Sequence, residues 1–447
     1  MAKKGKKGKK GKKTSAPIIE QFTTPQMLID RTKMLCPRMG DVYDKKENVN
    51  NILADVSTTL IKKVARKQLD KLELQSLKLN ELPNLAAIMP ELQTLTTLNL
   101  SKNSLFNISS IFDALAQMTN VKIVNLSNNL LNGPLPPSAG LVSNLEELYL
   151  DGNQITSLGD GIVEKWGKLR HISFPDNCIA ILPQAAAAWV DIEVLNAKNN
   201  RLTEVPEVCF EKWSKMKKLF LGLNQIAVLP ENLGNMDQLV ELDLSSNALE
   251  SLPSSLAMLY ELELLHLGNN KLLDFPASIF TNLKKLRELQ LYKNKISVIP
   301  PEIGNLKSIE RLSLGSNQIK WIPDEIGSCV TLKELYLGNN AKLSYFPPSS
   351  GHLRNLQELV LYKCPALKQV PTTLLEMSGL RELDLRAVKK NVCKITPECM
   401  EKFRLQKCVV RGGVVKKIKA DLKAPAGASA SSGAAEGEAL QPATDVV

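Results

Sequence analysis

The side chains that could support catalysis or bind a metal are few and far apart in this sequence. The three histidines are His171, His266 and His352, and the eight cysteines follow no paired spacing. No H-x-E, C-x-x-C, G-x-S-x-G or G-x-x-x-x-G-K motif occurs. The sequence therefore predicts no enzyme activity, no catalytic residue, no cofactor, no metal site and no small-molecule substrate.

A second group of side chains is suited to recognition. Aromatic residues beside cations are common components of protein-binding hot spots. Seven residues of this kind are predicted to contact a protein partner: Tyr292, Lys293, Trp321, Tyr336, Tyr345, Tyr362 and Lys363. The alternative is ordinary use of aromatic residues on a strand-rich surface.

The elements that must position these residues follow from an internal repeat. The pattern L-x-x-L-x-L-x-x-N-x-L recurs at intervals of 23 to 26 residues, and a proline follows most copies. One copy contains Leu239, Leu242, Leu244, Asn247 and Leu249. The asparagine position is occupied in turn by Asn103, Asn129, Asn153, Asn177, Asn200, Asn224, Asn247, Asn270, Asn294, Asn317, Asn340 and then Cys364.

The spacing has a physical explanation. L-x-L is a short strand whose leucines point inward, and the chain must then bend back over the core. Buried backbone groups in that bend need hydrogen-bond partners, and an asparagine amide offers both donors and an acceptor. Stacked copies thus predict a structural ladder of amides, in which a small, weakly polar cysteine is tolerated. The proline falls where a missing N–H is least costly.

This pattern resembles the leucine-rich repeat family, in its intracellular 23-residue class, and is similar to Ras-suppressor-like scaffolds and plant intracellular Ras-group-related leucine-rich repeat proteins. The resemblance covers about residues 72–388. It implies an α/β fold, a curved horseshoe solenoid with a parallel sheet on its concave face. Because this architecture carries many unrelated partners, the resemblance predicts the fold far better than the function.

The x positions of each strand are expected on the concave surface. One column is acidic and comprises Glu147, Glu241, Glu288, Glu334, Glu358 and Glu382. Tyr149, Tyr336, Val360 and Asp384 belong to the neighbouring, more varied column, while Trp321 and Tyr345 stand two residues before a proline in adjacent copies. The sequence therefore predicts a partner on the concave and flanking face.

The remaining segments divide the chain further. Residues 1–17 are predicted to be a disordered Lys/Gly-rich head, and residues 18–71 a linker and helical N-terminal cap. Residues 389–423 are predicted to form a basic C-terminal cap, with a helix starting after Thr396 and a β-hairpin around Arg411-Gly412-Gly413. Residues 424–447, rich in Ala, Gly and Ser, are predicted to be a disordered tail.

Charge is concentrated at the two ends of the chain. Residues 1–13 hold eight lysines and no acid, within a formal net charge of +11. Such a head can bind a polyanion, which could be an acidic protein tail, nucleic acid or an anionic membrane surface. No transmembrane span or secretory signal is expected, and the unpaired cysteines favour the cytoplasm.

The function predicted from these features is a non-enzymatic protein–protein interaction scaffold or adaptor. Its basic ends suggest association with a cilium or the cytoskeleton. The alternatives are a nucleic-acid- or ribonucleoprotein-associated protein, with a nuclear location open, and a regulator of a small GTPase or phosphatase. The identity of the partner, the oligomeric state and the pathway do not follow from the sequence.

Overall fold

A computed structural model describes residues 70–82, 91–387 and 393–416. The chain forms two compact units. The described residues of unit 1 are 70–82, 91–132 and 136–154, and those of unit 2 are 133–135, 155–387 and 393–416.

Unit 1 is a parallel sheet of short strands joined by return segments. Its strands pair in the order β1, β2, β3, β5, each in register with the next, as in Leu98 against Val124. The return segments include a 3₁₀ helix at Glu91–Thr94, the α-helix α1 (Ile108–Leu115) and a 3₁₀ helix at Pro137–Leu141. The strands up to this point are β1 (Lys71–Glu73), β2 (Thr97–Asn99), β3 (Ile123–Asn125), β4 (Asn132–Pro134) and β5 (Glu147–Tyr149).

Unit 2 repeats the same coil many more times. Strands β7 to β16 pair in sequence order and in parallel, and β18 follows β16. In each three-residue strand the middle residue is buried and its neighbours lie on the opposite face, which we call the strand face. The strands are β6 (Gln154–Ser157), β7 (His171–Ser173), β8 (Val194–Asn196), β9 (Lys218–Phe220), β10 (Glu241–Asp243), β11 (Leu264–His266), β12 (Glu288–Gln290), β13 (Arg311–Ser313), β14 (Glu334–Tyr336), β15 (Glu358–Val360), β16 (Glu382–Leu385), β17 (Lys394–Ile395), β18 (Val409–Gly412) and β19 (Val414–Val415).

Strands β2, β3, β5 and β7 to β14 are each followed by a turn that the repeated asparagine closes. The Asn270 Oδ1 accepts a hydrogen bond from the Leu249 N–H of the preceding coil at 3.1 Å. Its Nδ2 donates to the Leu244 carbonyl of that coil at 2.9 Å and to the Leu267 carbonyl of its own coil at 3.0 Å. All eleven asparagines of the repeat accept a backbone N–H from the preceding coil in this way. The buried amides therefore supply the partners that the bent backbone lacks.

Cys364 occupies the same position, and the structure explains why no amide is needed there. Its Sγ donates to the Leu337 carbonyl of the preceding coil at 3.5 Å, which is the donor role of the amide. The preceding turn is one residue longer, so the Leu343 N–H donates to the Asn340 carbonyl of its own turn at 3.1 Å. An amide oxygen at position 364 would consequently not have the Leu343 N–H as a free donor.

The recurring prolines lie immediately before the helical return segments. Each lies one residue before a short helix, as Pro253 precedes Ser254–Met258 and Pro300 precedes Pro301–Asn305. A proline fits this position because its fixed φ suits the helix entry and its missing N–H has no helical partner there. Two α-helices, α3 (Glu207–Lys212) and α4 (Ala277–Asn282), follow a proline in this way, whereas α2 (Asp160–Val163) follows Gly159. The other 3₁₀ segments that follow a proline are Gln184–Ala188, Glu231–Asn235, Asp324–Ser328, Pro348–His352 and Thr372–Glu376.

The C-terminal segment contains the predicted helix but not the predicted hairpin. Helix α5 (Pro397–Leu405) begins after Thr396, whose side chain accepts from the Cys399 N–H. Strands β18 and β19 do not pair with each other; β18 pairs in parallel with β16, and β19 with β17. The hairpin prediction is therefore wrong, because each apolar run extends an existing parallel strand and satisfies backbone groups at its edge.

Several predicted segments lie outside the described residues. These are the Lys/Gly-rich head, the tail at 424–447 and almost all of the N-terminal cap, whose last predicted residue, Lys71, lies in strand β1. Of the predicted C-terminal cap, residues 393–416 are described. The seven described cysteines are free thiols.

Candidate protein-binding surface

The seven residues predicted to contact a partner fall into three places in unit 2. Tyr336 ends strand β14 and lies on the strand face. Tyr292-Lys293 and Tyr362-Lys363 lie in the turns that follow β12 and β15. The third place, the return side of the coil, holds Trp321 and Tyr345. The structure therefore does not gather them into one cluster, although it brings Tyr336 and Tyr362 into neighbouring coils.

Tyr336 is fixed between two carboxylates. Its hydroxyl lies 3.0 Å from Glu334 Oε2 and 2.9 Å from Glu358 Oε2. Burial raises the pKa of Tyr336 well above its ordinary value, and the hydrogen bonds to the two carboxylates raise the pKa further. A phenol has only one proton to donate, so one of the two carboxylates is left without it and can accept a donor from a partner.

The two turn tyrosines are held by glycines. The ring of Tyr292 lies against Gly268 of the preceding coil, and the ring of Tyr362 lies against Gly338. At both glycines an added Cβ would overlap the ring. Lys363 Nζ lies 5.8 Å from the centroid of the Tyr362 ring, within the range of a cation–π contact. The tyrosines are thus fixed to the turn surface.

Trp321 and Tyr345 are adjacent, as their positions in neighbouring copies predicted, but they are not equally accessible. They form an isolated parallel bridge between their backbones. Trp321 is half-buried, whereas Tyr345 is only 6% exposed and its hydroxyl lies 3.4 Å from Asp324 Oδ1. Little of the Tyr345 side chain is therefore accessible to a partner, because it packs into the coil.

The acidic column on the strand face is largely paired. Glu288 lies 3.1 Å from His266 Nε2 and 2.9 Å from Arg311 Nη1. Farther along the sheet, Glu382 lies 2.8 Å from Arg411 Nε. Glu358 stands in direct register between Glu334 and Glu382 and, among the described residues, forms no ion pair. This part of the strand face therefore concentrates negative charge at Glu358.

Two carboxylates on the strand face are buried and ion-paired, which the repeat pattern did not predict. Asp384 is 3% exposed and is clamped by Arg386, with Nε–Oδ1 at 2.9 Å and Nη2–Oδ2 at 2.6 Å. Burial would raise the pKa of Asp384, but the guanidinium outweighs it and lowers the pKa. Asp243 is likewise buried and lies 3.0 Å from Lys198 Nζ, two coils away.

A further row of charges was missed by the sequence reasoning. It occupies the residue just before each strand, which we call the amino edge. Glu310 lies 3.0 Å from Arg287 Nη2 and 2.6 Å from Lys333 Nζ. Glu193 is paired in the same way with Arg170 at 2.8 Å and Lys217 at 2.6 Å. In the sequence, this row is visible as acidic and basic residues that alternate at the repeat interval. The resulting ion pairs link successive coils.

The described residues contain no group of three or more His, Cys, Asp or Glu side chains placed to hold a metal ion. No helix within the described ranges is long and apolar enough to cross a membrane.

Family models match two stretches of the chain. A model described as "Leucine-rich repeat region" matches residues 274–410, and one described as "Leucine rich repeat" matches residues 143–202 and 190–249. Among characterised proteins, tubulin-folding cofactor E of Arabidopsis thaliana is 32% identical over 120 residues, which cover 24% of this chain and 21% of that protein. The likeness thus spans about a fifth of that relative's length.

Solved structures with the same coil are numerous. A leucine-rich repeat protein of Leptospira interrogans is 26% identical with a TM-score of 0.58, and the likeness covers 78% of this chain and 98% of that one. The leucine-rich repeat ectodomain of an Arabidopsis thaliana membrane receptor kinase, determined in complex with Casparian strip integrity factor 2, is 25% identical with a TM-score of 0.50. That likeness covers 75% of this chain and 49% of the other.

Proposed function

Since the chain is a leucine-rich repeat protein, we propose that it is a non-enzymatic scaffold that holds a protein partner on strands β12 to β16. The family's architecture is a general protein-interaction module, and one structural neighbour was determined in complex with such a partner. The observation that carries the proposal is Tyr336, an aromatic side chain held between Glu334 and Glu358 and presented on the strand face.

Preorganisation supports this assignment. A side chain that is already fixed loses little conformational entropy when a partner docks on it. Tyr336 is fixed by two carboxylates and Tyr362 by Gly338, so the two rings form a rigid contact area on adjacent coils. The acidic group at Glu358 adds polar selectivity for a partner that brings a donor or a cation.

The experiment compares partners that copurify with the tagged full chain in cell extracts under quantitative mass spectrometry. The variants are Tyr336→Ala and Tyr362→Ala. The control is Tyr149→Ala, at the repeat position equivalent to Tyr336 but in unit 1, where the hydroxyl lies 2.8 Å from Glu147 Oε2. Partners lost with both variants and retained with the control support the surface. Equal recovery from all three chains contradicts it.

The basic head and the cytoskeletal link are further parts of the proposal. We propose that residues 1–13 tether the scaffold to a polyanion, since they hold eight lysines and no acid. The local similarity to tubulin-folding cofactor E supports a cytoplasmic, cytoskeletal setting. Imaging the tagged chain with and without residues 1–13 tests both, because loss of localisation on deletion is expected and an unchanged distribution contradicts the tether.

A further inference from the structure

In the coils of strands β12 to β15, a second edge of unit 2 carries charge of one sign only. From the end of each strand to the following proline, the stretches 291–300, 314–323, 337–347 and 361–371 contain no Asp or Glu. With Lys394 of the next coil, seven lysines lie on this edge, which we call the lysine edge: Lys293, Lys295, Lys320, Lys342, Lys363, Lys368 and Lys394. All seven side chains are exposed.

The lysine edge differs from the amino edge in the pairing of its charges. At the amino edge, Lys217 and Lys333 lie within 2.6 Å of a carboxylate oxygen. None of the seven lysines of the lysine edge forms an ion pair with a described residue. Lys342 contacts the neutral Gln318 amide at 3.1 Å, and Lys368 donates to the Pro365 carbonyl at 2.9 Å. The positive charge of this edge is therefore not neutralised within the described part of the fold.

The backbone arranges these lysines in rows. The Ser344 N–H donates to the Lys320 carbonyl at 2.9 Å, and the Lys394 N–H donates to the Lys368 carbonyl at 2.9 Å. Lys368 and Lys394 are thus on adjoining coils, about 5 Å apart along the row. Across five coils the edge extends for about 20 Å. A line of unneutralised cations on a rigid support attracts a linear polyanion and concentrates it at the surface.

The residue types favour carboxylates over nucleic acid. Nucleic-acid surfaces depend heavily on arginine, whose planar fork binds phosphates and base edges. The lysine edge contains no free arginine, because Arg386 at its margin is clamped by Asp384. Among the nearby rings, Tyr345 is buried and cannot stack on a base, whereas Trp321 is half-buried.

We infer that the lysine edge binds an acidic polypeptide segment with several successive Asp or Glu residues. This inference rests on the proposed scaffold function and specifies the chemistry of one partner. It places polyanion binding on the folded repeat, in addition to the basic head at residues 1–13. The contact is electrostatic, so its strength falls as the salt concentration rises.

The experiment measures the binding of a fluorescent poly-glutamate peptide to the full chain by anisotropy. One variant replaces Lys295, Lys320, Lys368 and Lys394 with Gln. The matched control replaces Lys215, Lys217, Lys285 and Lys333, which pair with acids, with Gln. Both variants lose the same formal charge and keep the same head, so any difference between them comes from the position of the lysines.

The lysine-edge variant is expected to bind poly-glutamate about tenfold more weakly than the control at low salt, with a shallower salt dependence. Equal affinities of the two variants would overturn the inference. A single-stranded oligonucleotide of equal charge that loses more affinity than poly-glutamate would also overturn it, in favour of nucleic acid. If the two affinities are equal while Tyr336→Ala still loses its partners, the inference fails and the proposed scaffold survives.

Discussion

The ring of Tyr362 lies against the backbone of Gly338 in the preceding coil, in the space that a side chain on Gly338 would need. Tyr292 is related to Gly268 in the same way. Each tyrosine follows the leucine that comes directly after a strand, and both glycines occupy the equivalent position one coil earlier. A tyrosine in this turn is therefore accommodated by a glycine about 24 residues before it.

Gly338→Ala is expected to lower the free energy of unfolding by about 2 kcal/mol, because the methyl group displaces the Tyr362 ring. The double variant Gly338→Ala, Tyr362→Ala should recover part of the loss, which urea unfolding measures. Gly315→Ala is the control, since its added Cβ meets no ring and only the backbone of Gly338, whose carbonyl oxygen is nearest at 3.1 Å. A Gly338→Ala chain as stable as the Gly315→Ala chain would show that the ring is not held there.

The amide ladder makes a second prediction. Asn294→Ala should lower the free energy of unfolding by about 3 kcal/mol, because the Leu272 N–H and the Leu267 carbonyl lose their partner in the interior. The exposed Asn305→Ala is the control and should change little. Cys364→Asn should bring no gain, since the Leu343 N–H is already bonded. Stabilisation by Cys364→Asn would contradict this account of the ladder.

The turns make a third prediction, at Leu223. Its φ of 57° lies in the left-handed region, where a leucine is strained and an asparagine is favoured. The equivalent turn positions Asn199 and Asn269 have φ of 51° and 57°. Leu223→Asn should therefore raise the free energy of unfolding by about 1 kcal/mol, because the leucine is 46% exposed and loses little packing. Val228→Asn, outside the left-handed region, is the comparison and should show no such gain.

Acid unfolding provides a fourth prediction. Asp243 is buried, which alone would raise its pKa, but hydrogen bonds from Ser245 and the Lys198 ammonium lower it below the ordinary value. A carboxyl with a lower pKa in the folded state stabilises the fold above its unfolded pKa of about 4. That contribution is lost as the pH falls through the folded pKa.

Wild-type stability should therefore decline more steeply than that of Asp243→Asn between about pH 5 and pH 2. Denaturant unfolding at each pH measures the two slopes, and the exposed Asp237→Asn should follow the wild type. Parallel slopes for the wild type and Asp243→Asn would mean that the pairing with Lys198 does not persist in solution.

Much of the fold could be predicted from the sequence because each coil contacts its neighbours through positions that recur. Leu242 and Leu265 are paired across β10 and β11, as their places in the repeat require. The candidate surface was predicted less well. Tyr336 lies on the strand face, as predicted, but its hydroxyl is held by Glu358, which lies 22 positions later in the chain. The repeat pattern does not specify the direction in which a hydroxyl points.

The sequence alone determined the period, the inward leucines and the place of the amides, because in a solenoid of repeats those properties are local and repeated. Only the tertiary structure decided which polar and charged side chains have a hydrogen-bond or ion-pair partner and which do not. It buried Tyr345, separated β18 from β19, paired Lys198 with Asp243 across two coils and left the lysine edge unpaired. Those outcomes depend on distances between side chains of different coils, and charge and burial at one position are set by what the neighbouring coils place beside it.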